Sequence, residues 1–193
     1  MSKVSLAGNA SGTGIFTIAS PNSNTDRTLT LPDNTGTLVT NTSGSVSQAM
    51  LASNVVGNGP TFSAYQSTSG GSVASTTFTK VSFDTEIWDT NSNYSSSRFT
   101  PTVAGYYQLN SVFQVAGAAP GFITLYKNGT EYKRGLWNNS ASSMLQFSVN
   151  GLMYLNGSTD YAEVYVYQTS GGSVTPQGAV TVTWFDGCLV RSA

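Results

Sequence analysis

From Pro60 to the end of the chain, apolar and polar residues alternate in short runs bounded by clusters of Gly, Asn and Ser. A period of two sends successive side chains to opposite faces of an extended strand, so each run has one face to bury and one to leave in water. Candidate strands are "TFSAYQS", "TTFTKVSFDTEIW", "YYQLNSVFQVA", "GFITLYK", "TEYKRGLW", "SMLQFSVNGLMYL", "YAEVYVYQ" and "AVTVTWFDGCLV". In the third, Tyr107, Leu109, Ser111, Phe113 and Val115 share a face; in the seventh, Ala162, Val164 and Val166 do. The Asn-Gly pair in "KNGT", 127–130, fits a type I′ turn, whose twist suits antiparallel strands, and predicts a hairpin. So many short strands in one stretch predict an all-β fold, a two-sheet sandwich or jelly roll.

Composition agrees. The 193 residues include 20 glycines but only 8 basic and 9 acidic side chains, and 39% are hydrophobic. Helices draw on Glu, Lys, Arg and Ala, whereas strands draw on the aromatic and β-branched residues abundant here. A net charge of −1 supplies no footprint for nucleic acid or an anionic membrane. No apolar run reaches the roughly 18 residues of a spanning helix, and "MSKVSLAGNASGTG" lacks the apolar centre of a secretory signal. We therefore expect a soluble chain, with no membrane insertion and no nucleic-acid partner.

With no histidine and one cysteine, His-based catalytic triads, Cys-His pairs and the common zinc centres are excluded. No Gly-Lys-Ser/Thr phosphate loop is present either. Carboxylates remain: Asp84 and Glu86 in "FDTEIWD" fall on one strand face, with Asp89 beyond, as in a glycosidase pair or a hard-cation site. A solvated strand end is the default, and no catalytic, cofactor-binding or metal residue is assigned. Lys133 and Arg134 beside Glu131 in "EYKRG" read as solubilising hairpin charge rather than a site for acidic glycan. Cys188 is expected to be a small packed side chain. The six Asn-x-Ser/Thr sequons, Asn93 and Asn138 among them, are those that abundant Asn, Ser and Thr produce by chance. One internal echo stands out, "YQSTSGGSV" at 65–73 and "YQTSGGSV" at 167–174, each a strand end entering a Gly-Gly loop; shared loop chemistry accounts for it better than duplication.

Residues 1–40 hold two strand-like pieces, "GIFTIAS" and "RTLTL", with a thin apolar set of Ile15, Phe16, Ile18, Leu29, Leu31, Leu38 and Val39. So few core candidates rarely stand alone, so this segment is expected to be completed by other chains. Residues 41–59 read as a linker; Val46, Ala49, Met50 and Ser53 permit two helical turns, so either a packed neck or a flexible connector fits. Residues 60–193 form the β-rich body.

Two resemblances extend the reading. "FDTEIWDTNSNYSSSRFTPTVAGYYQL" resembles the signature region of the complement q-type globular head, a trimeric jelly roll related to the tumour necrosis factor fold, through Phe83, Asp89, Tyr94, Phe99, Gly105 and Tyr107. Phe99, Gly105 and Tyr107 keep the family's F-x5-G-x-Y spacing. The gap from Tyr94 to Phe99 is shorter than usual, and Leu109 stands where an aromatic is common. The closing "FDGCLV", with Phe185, Gly187 and Leu189, is similar to the family's last strand. The resemblance implies a trimeric knob whose structural core includes Phe83, Phe99, Gly105, Tyr107, Leu109, Phe113, Phe185, Gly187 and Leu189, with Pro101 and Gly105 forming the bend before the long strand.

The stretch 18–40, "IASPNSNTDRTLTLPDNTGTLVT", resembles a segment recurring in fibre and appendage proteins of tailed bacteriophages. Together the resemblances imply a non-enzymatic virion protein: an attachment segment at 1–40 that binds other virion proteins, a neck at 41–59, and a homotrimeric knob at 60–193 for a host-surface glycan or protein. Such a protein is assembled in the host cytoplasm and exposed on the phage particle. A capsid-decorating protein and a soluble bacterial glycan-binding module are the alternatives; a depolymerase is the weakest. No cofactor is implied, and the receptor-binding residues stay open. Tyr106, Tyr126, Tyr161, Tyr165 and Tyr167 are expected to divide between the core and faces that meet partners or sugars.

Overall fold

The alternation from Ala104 to Ala116 is realised residue by residue: odd-numbered side chains from Gly105 to Val115 are buried, and the even-numbered ones face outward. The same holds from Met144 to Asn156, and the two runs pair antiparallel along their whole length, Ala104 opposite Asn156 and Ala116 opposite Met144. Around this long ribbon the computed structural model builds eleven strands. They are β1 (Thr61–Tyr65), β2 (Thr79–Lys80), β3 (Thr85–Asp89), β4 (Tyr94–Ser95), β5 (Arg98–Phe99), β6 (Ala104–Ala116), β7 (Gly121–Lys127), β8 (Thr130–Arg134), β9 (Met144–Asn156), β10 (Ala162–Gln168) and β11 (Trp184–Ser192).

The structure describes residues 11–15, 17, 22–26, 28, 50–52, 55, 57–140 and 142–193. The chain divides into two units, Met1–Thr40 and Asn41–Ala193. In the first, the described residues lie in turns, bends and irregular backbone and are exposed, with the Thr25 N–H donating to Ser23 Oγ at 3.1 Å. The expected strands of this segment fall largely outside the described residues; of its apolar set only Ile15 is described, and it is exposed. Of the four neck positions only Met50 is described.

In the second unit, five strands form one sheet in the order β3-β1-β11-β6-β9, and a second sheet runs β4-β5-β10-β7-β8 with β2 added beside β10. Every pairing is antiparallel. The chain crosses between the sheets at every connection except β4–β5 and β7–β8, which makes the sandwich a jelly roll. Between the sheets, Phe62 stacks on Phe99 at 4.3 Å and on Tyr94 at 5.1 Å and meets the edge of Phe185 at 4.9 Å; Phe99 in turn meets the edge of Tyr107 at 5.3 Å. Such ring pairs add to what burial alone contributes. The "KNGT" hairpin joins β7 to β8, with Asn128 and Gly129 at φ of 53° and 78°, as a type I′ turn requires.

Several expectations are corrected. The predicted strand 76–88 is split, because the chain leaves β2, paired to β10, and enters β3, paired to β1. Val81 and Phe83 keep their inward alternation through the crossing, while the Phe83 N–H goes to Ser97 Oγ at 2.9 Å instead of to a strand. The predicted last strand begins only at Trp184. Residues 179–183 form a turn in which the N–H groups of Val182 and Thr183 both donate to the Ala179 carbonyl, and Thr183 Oγ1 accepts the Gln114 N–H that a longer β11 would have taken. In "TEYKRGLW" the strand stops at Arg134. Gly105 is not a bend: it lies within β6, where a Cβ would collide with the Arg191 carbonyl and the Leu189 side chain of β11. Cys188 points outward and is exposed rather than packed.

Candidate functional site

Two of the three carboxylates that the sequence offers for chemistry, Asp84 and Asp89, are committed to backbone. Asp84 Oδ1 accepts the Ser67 N–H at 2.8 Å and the Thr85 hydroxyl at 2.9 Å. Burial pushes its pKa upward, but these bonds hold it below the ordinary aspartate value. Asp89 closes the next turn by accepting the N–H groups of Tyr94 at 2.7 Å and Asn91 at 3.2 Å, while Glu86 is exposed on β3. Glu131 and Arg134 pair through two bonds of 2.8 Å, so the hairpin charges of "EYKRG" are largely spent on each other. Among the described residues no group of three acidic, His or Cys side chains is placed to hold a metal ion. The Asn93 sequon is buried, its side-chain amide donating to Asn91 O and its carbonyl accepting the Thr102 N–H.

Of the residues singled out by resemblance, Phe83, Phe99, Tyr107, Leu109, Phe113, Phe185 and Leu189 are buried between the sheets. Gly187 sits where a Cβ would strike Leu109 and the Phe62 ring. The Tyr107 hydroxyl donates to Val103 O at 2.7 Å, and burial raises its pKa well above the ordinary phenol value. These residues form one body, and none of them is surface available to a ligand.

The surfaces are of three kinds. The outward face of β6, β9 and β11 carries exposed Tyr106, Met144, Leu152, Tyr154 and Val190 among Gln, Asn and Ser. Asp186 is the charged side chain within it, and Arg191 stands at its margin. Burial raises the Asp186 carboxyl against the opposing effect of the Asn110 amide, which donates to it at 3.1 Å.

One end of the sandwich holds the two echoed loops side by side. Val73 and Val174 pair through reciprocal bonds of 2.9 and 3.0 Å. Gln168 Nε2 donates to Val73 O and Gly172 O, and Gln66 Nε2 donates to Thr68 O and Gly70 O. The repeated Gln therefore anchors a Gly-Gly loop in each copy, and both glutamines are buried.

The third surface is the outward face of β7 and β10. Their side chains meet in register, Tyr126 opposite Glu163, Thr124 opposite Tyr165, and Phe122 opposite Tyr167. Tyr126 stacks on Tyr165 at 4.0 Å and Phe122 on Tyr167 at 5.5 Å. Phe78 lies 5.0 Å from Tyr167, Trp137 lies 5.5 Å from Phe122, and the Arg134 guanidinium sits 4.3 Å above the Phe122 ring. At the other end of β10, Glu163 is buried and accepts Lys80 Nζ at 2.7 Å and Arg98 Nε at 2.9 Å. Burial alone would raise the Glu163 carboxyl; the two cations outweigh it and hold the group ionised below its ordinary value. Beside this triad is a polar cavity of about 450 Å³, lined by Lys80, Arg98 and several Ser, Asn and Thr side chains.

The expected division of Tyr106, Tyr126, Tyr161, Tyr165 and Tyr167 between core and surface is thus corrected. All five lie on outer surfaces, and Tyr94 and Tyr107 are the core tyrosines. Phe78, Phe122, Trp137, Lys80, Arg98 and Glu163 were not foreseen as a group. The legible part of that signal was Tyr161, Glu163, Tyr165 and Tyr167 at period two.

No protein-family model matches the sequence, and no curated protein matches it. Solved structures do. The globular domain of the zebrafish complement 1qA protein aligns over 69% of this chain and 98% of its own, with 16% identity and a TM-score of 0.52. Murine APRIL aligns over 68% of this chain and 98% of its own, with 11% identity and a TM-score of 0.53. Eiger TNF from S. frugiperda aligns over 69% and 95%, with 10% identity and a TM-score of 0.50. At such identities the likeness speaks for the fold alone: the β-rich unit is an all-β jelly roll of the complement q and tumour necrosis factor type.

Proposed function

We propose that the chain is a non-enzymatic structural protein of a bacteriophage virion, a homotrimeric fibre or appendage whose knob contacts the host surface. The observation that carries the assembly is the outward face of β6, β9 and β11. Tyr106 is 46% exposed, Leu152 45%, Val190 43% and Tyr154 39%, on a broad sheet face with one carboxylate. Monomeric proteins rarely leave such a contiguous face to water, and uncharged sheet faces of this size mark subunit contacts. Three copies meeting through this face leave the outward face of β7 and β10 free. The virion assignment is supported by "SPNSNTDRTLTLPDNTGT", residues 20–37, the motif shared with phage fibre and appendage proteins. Engagement of Asp84 and Asp89 by backbone N–H groups, which leaves Glu86 without a second free carboxylate beside it, supports a non-enzymatic role.

Sedimentation of the full chain at micromolar concentration is expected to give a trimer, and a monomer would overturn the assembly. Antibody labelling of phage particles is expected to mark a fibre or appendage tip. Uniform labelling of heads would convert the reading to capsid decoration, and absence from particles would convert it to a soluble glycan-binding module.

A further inference from the structure

Along β10 a row of rings leads into a cation-bearing hollow. Phe78, Phe122, Tyr126, Trp137, Tyr165 and Tyr167 form one connected cluster of ring contacts. Trp137 is 50% exposed, and among the described residues the Trp137 indole N–H and the Tyr126 and Tyr167 hydroxyls have no hydrogen-bond partner. Phe122 is buried beneath the cluster, Phe78 and Trp137 are exposed, and Tyr126, Tyr165 and Tyr167 are half-buried, so the surface on offer is the Phe78 and Trp137 rings and the tyrosine edges with their free polar tips, held by rigid strands that lose little freedom on binding. Lys80 stands directly opposite Tyr165 in the pairing of β2 with β10, which puts it on the same face as the rings. The Tyr165 hydroxyl is 3.5 Å from Glu163 Oε2, so rings and triad are contiguous. From Glu163 to Tyr167 the row spans about 13 Å.

The charges of the triad do not cancel. Lys80 and Arg98 bring two positive charges to the single carboxylate of Glu163. Arg98 bonds that carboxylate through Nε and lays the face of its guanidinium on the Tyr161 ring at 3.8 Å, which leaves both terminal amino groups without a hydrogen-bond partner among the described residues, beside the hydroxyls of Ser92, Ser95 and Ser96 in the cavity. A guanidinium fork of this kind matches the paired oxygens of a carboxylate or phosphate.

We propose that this face binds an acidic oligosaccharide, with sugar rings lying on the aromatic row and a carboxylate or phosphate substituent entering the cavity beside Lys80 and Arg98. A neutral sugar leaves the excess positive charge unanswered, and a single net charge is too little to hold an anionic membrane. A protein partner needs a larger apolar patch than exposed Phe78, Leu136 and Trp137 supply. The inference deepens the host-contact part of the proposed function and rests on it for the source of the glycan. All the residues belong to one chain, so a failure of the trimer or virion assignment is read separately, by sedimentation and by labelling.

The test uses the full chain and three immobilised polysaccharides: polygalacturonate, glycerol-phosphate teichoic acid and neutral dextran. At least one acidic polymer is expected to bind about tenfold more tightly than dextran, with polygalacturonate separating a carboxylate source from the phosphate of teichoic acid. Arg98→Ala is expected to abolish that preference, and Trp137→Ala to weaken the acidic polymer about tenfold. Both side chains are substantially exposed, and circular dichroism of each variant checks the fold. Equal binding of all three polymers, no binding to either acidic one, or acidic binding unchanged in both folded variants would overturn the proposal.

Discussion

Two carboxylates on opposite sheets lose water to different neighbours and end with opposite pKa shifts. Glu163 is buried against Lys80 and Arg98, and the cations hold it ionised. Asp186 is half-buried beside an Asn110 amide, which does not offset the hydration it loses. The consequences for stability have opposite signs. The folded-state value of Glu163 is depressed, so its contribution is present above the ordinary glutamate value and is lost as pH falls through the folded value. The folded-state value of Asp186 is raised, so its carboxyl favours folding most when protonated, and that advantage is lost as pH rises through the folded value. We expect Glu163→Gln to destabilise the protein by about 1–3 kcal/mol at pH 7, because two cations lose their partner, and to flatten the acid limb of the stability curve. Asp186→Asn is expected to be neutral or stabilising at pH 7, and less so in acid. Urea denaturation at a series of pH values reads both; an unchanged acid limb in Glu163→Gln would contradict the assignment of that carboxyl.

At the scale of elements, the echoed loops show both what local pattern reveals and where it stops. The repeat "QSTSGGSV" and "QTSGGSV" was visible in the sequence, and so was its loop chemistry; that the two copies lie together through the Val73–Val174 bridge was not, because nothing local encodes a contact between such distant segments. The strands of the core were legible for the opposite reason. Inward alternation in β6, β9 and β10 is a property of each run by itself. Strand ends were less legible: the turn at 179–183 keeps an alternating, β-branched sequence and is decided by bonds to Ala179 and from Gln114. The aromatic row was least legible. Phe78 and Trp137 enter it from irregular segments, and Lys80 and Arg98 reach Glu163 across 83 and 65 residues. A prediction follows for the loops. Gln168 is fully buried and satisfies two carbonyls, and it accepts the Ser170 N–H at 2.6 Å. Gln168→Ala is expected to cost about 2–4 kcal/mol through groups left without partners, with faster amide exchange at Val73 and Val174. Unchanged exchange at those two amides would show that the loops pair without their glutamine.

For the whole molecule, the sandwich distributes its chemistry by face. Between the sheets lies an aromatic core with no buried side-chain polar atom left unsatisfied among the described residues. The β7 and β10 side pairs its charges closely around stacked rings, whereas the face of β6, β9 and β11 is broad and almost uncharged. The free edge of β9 is met by side chains from the β7–β8 hairpin and the segment after it, with Lys127 Nζ on Tyr154 O, the Tyr132 hydroxyl on Leu152 O and Asn138 Nδ2 on Gln146 O, so it is the outward face of this strand, not its edge, that is left open. Leu152, towards the C-terminal end of that strand's exposed row, borders a hollow of about 540 Å³ that Tyr106 and Val190 also line. A lysine there has water around it in an isolated protomer but loses that water in an assembly closed over the hollow, with Arg191 nearby as a like charge. Leu152→Lys is therefore expected to leave the protomer's stability within about 0.5 kcal/mol while costing about 3 kcal/mol or more at each contact, which turns a trimer into monomers on sedimentation. The readout separates two roles for the same side chain. Loss of the trimer with the protomer's thermal midpoint intact assigns Leu152 to the subunit contact. A trimer that persists in the variant would move the contact to another face, and loss of the fold itself would make Leu152 part of the protomer's own packing.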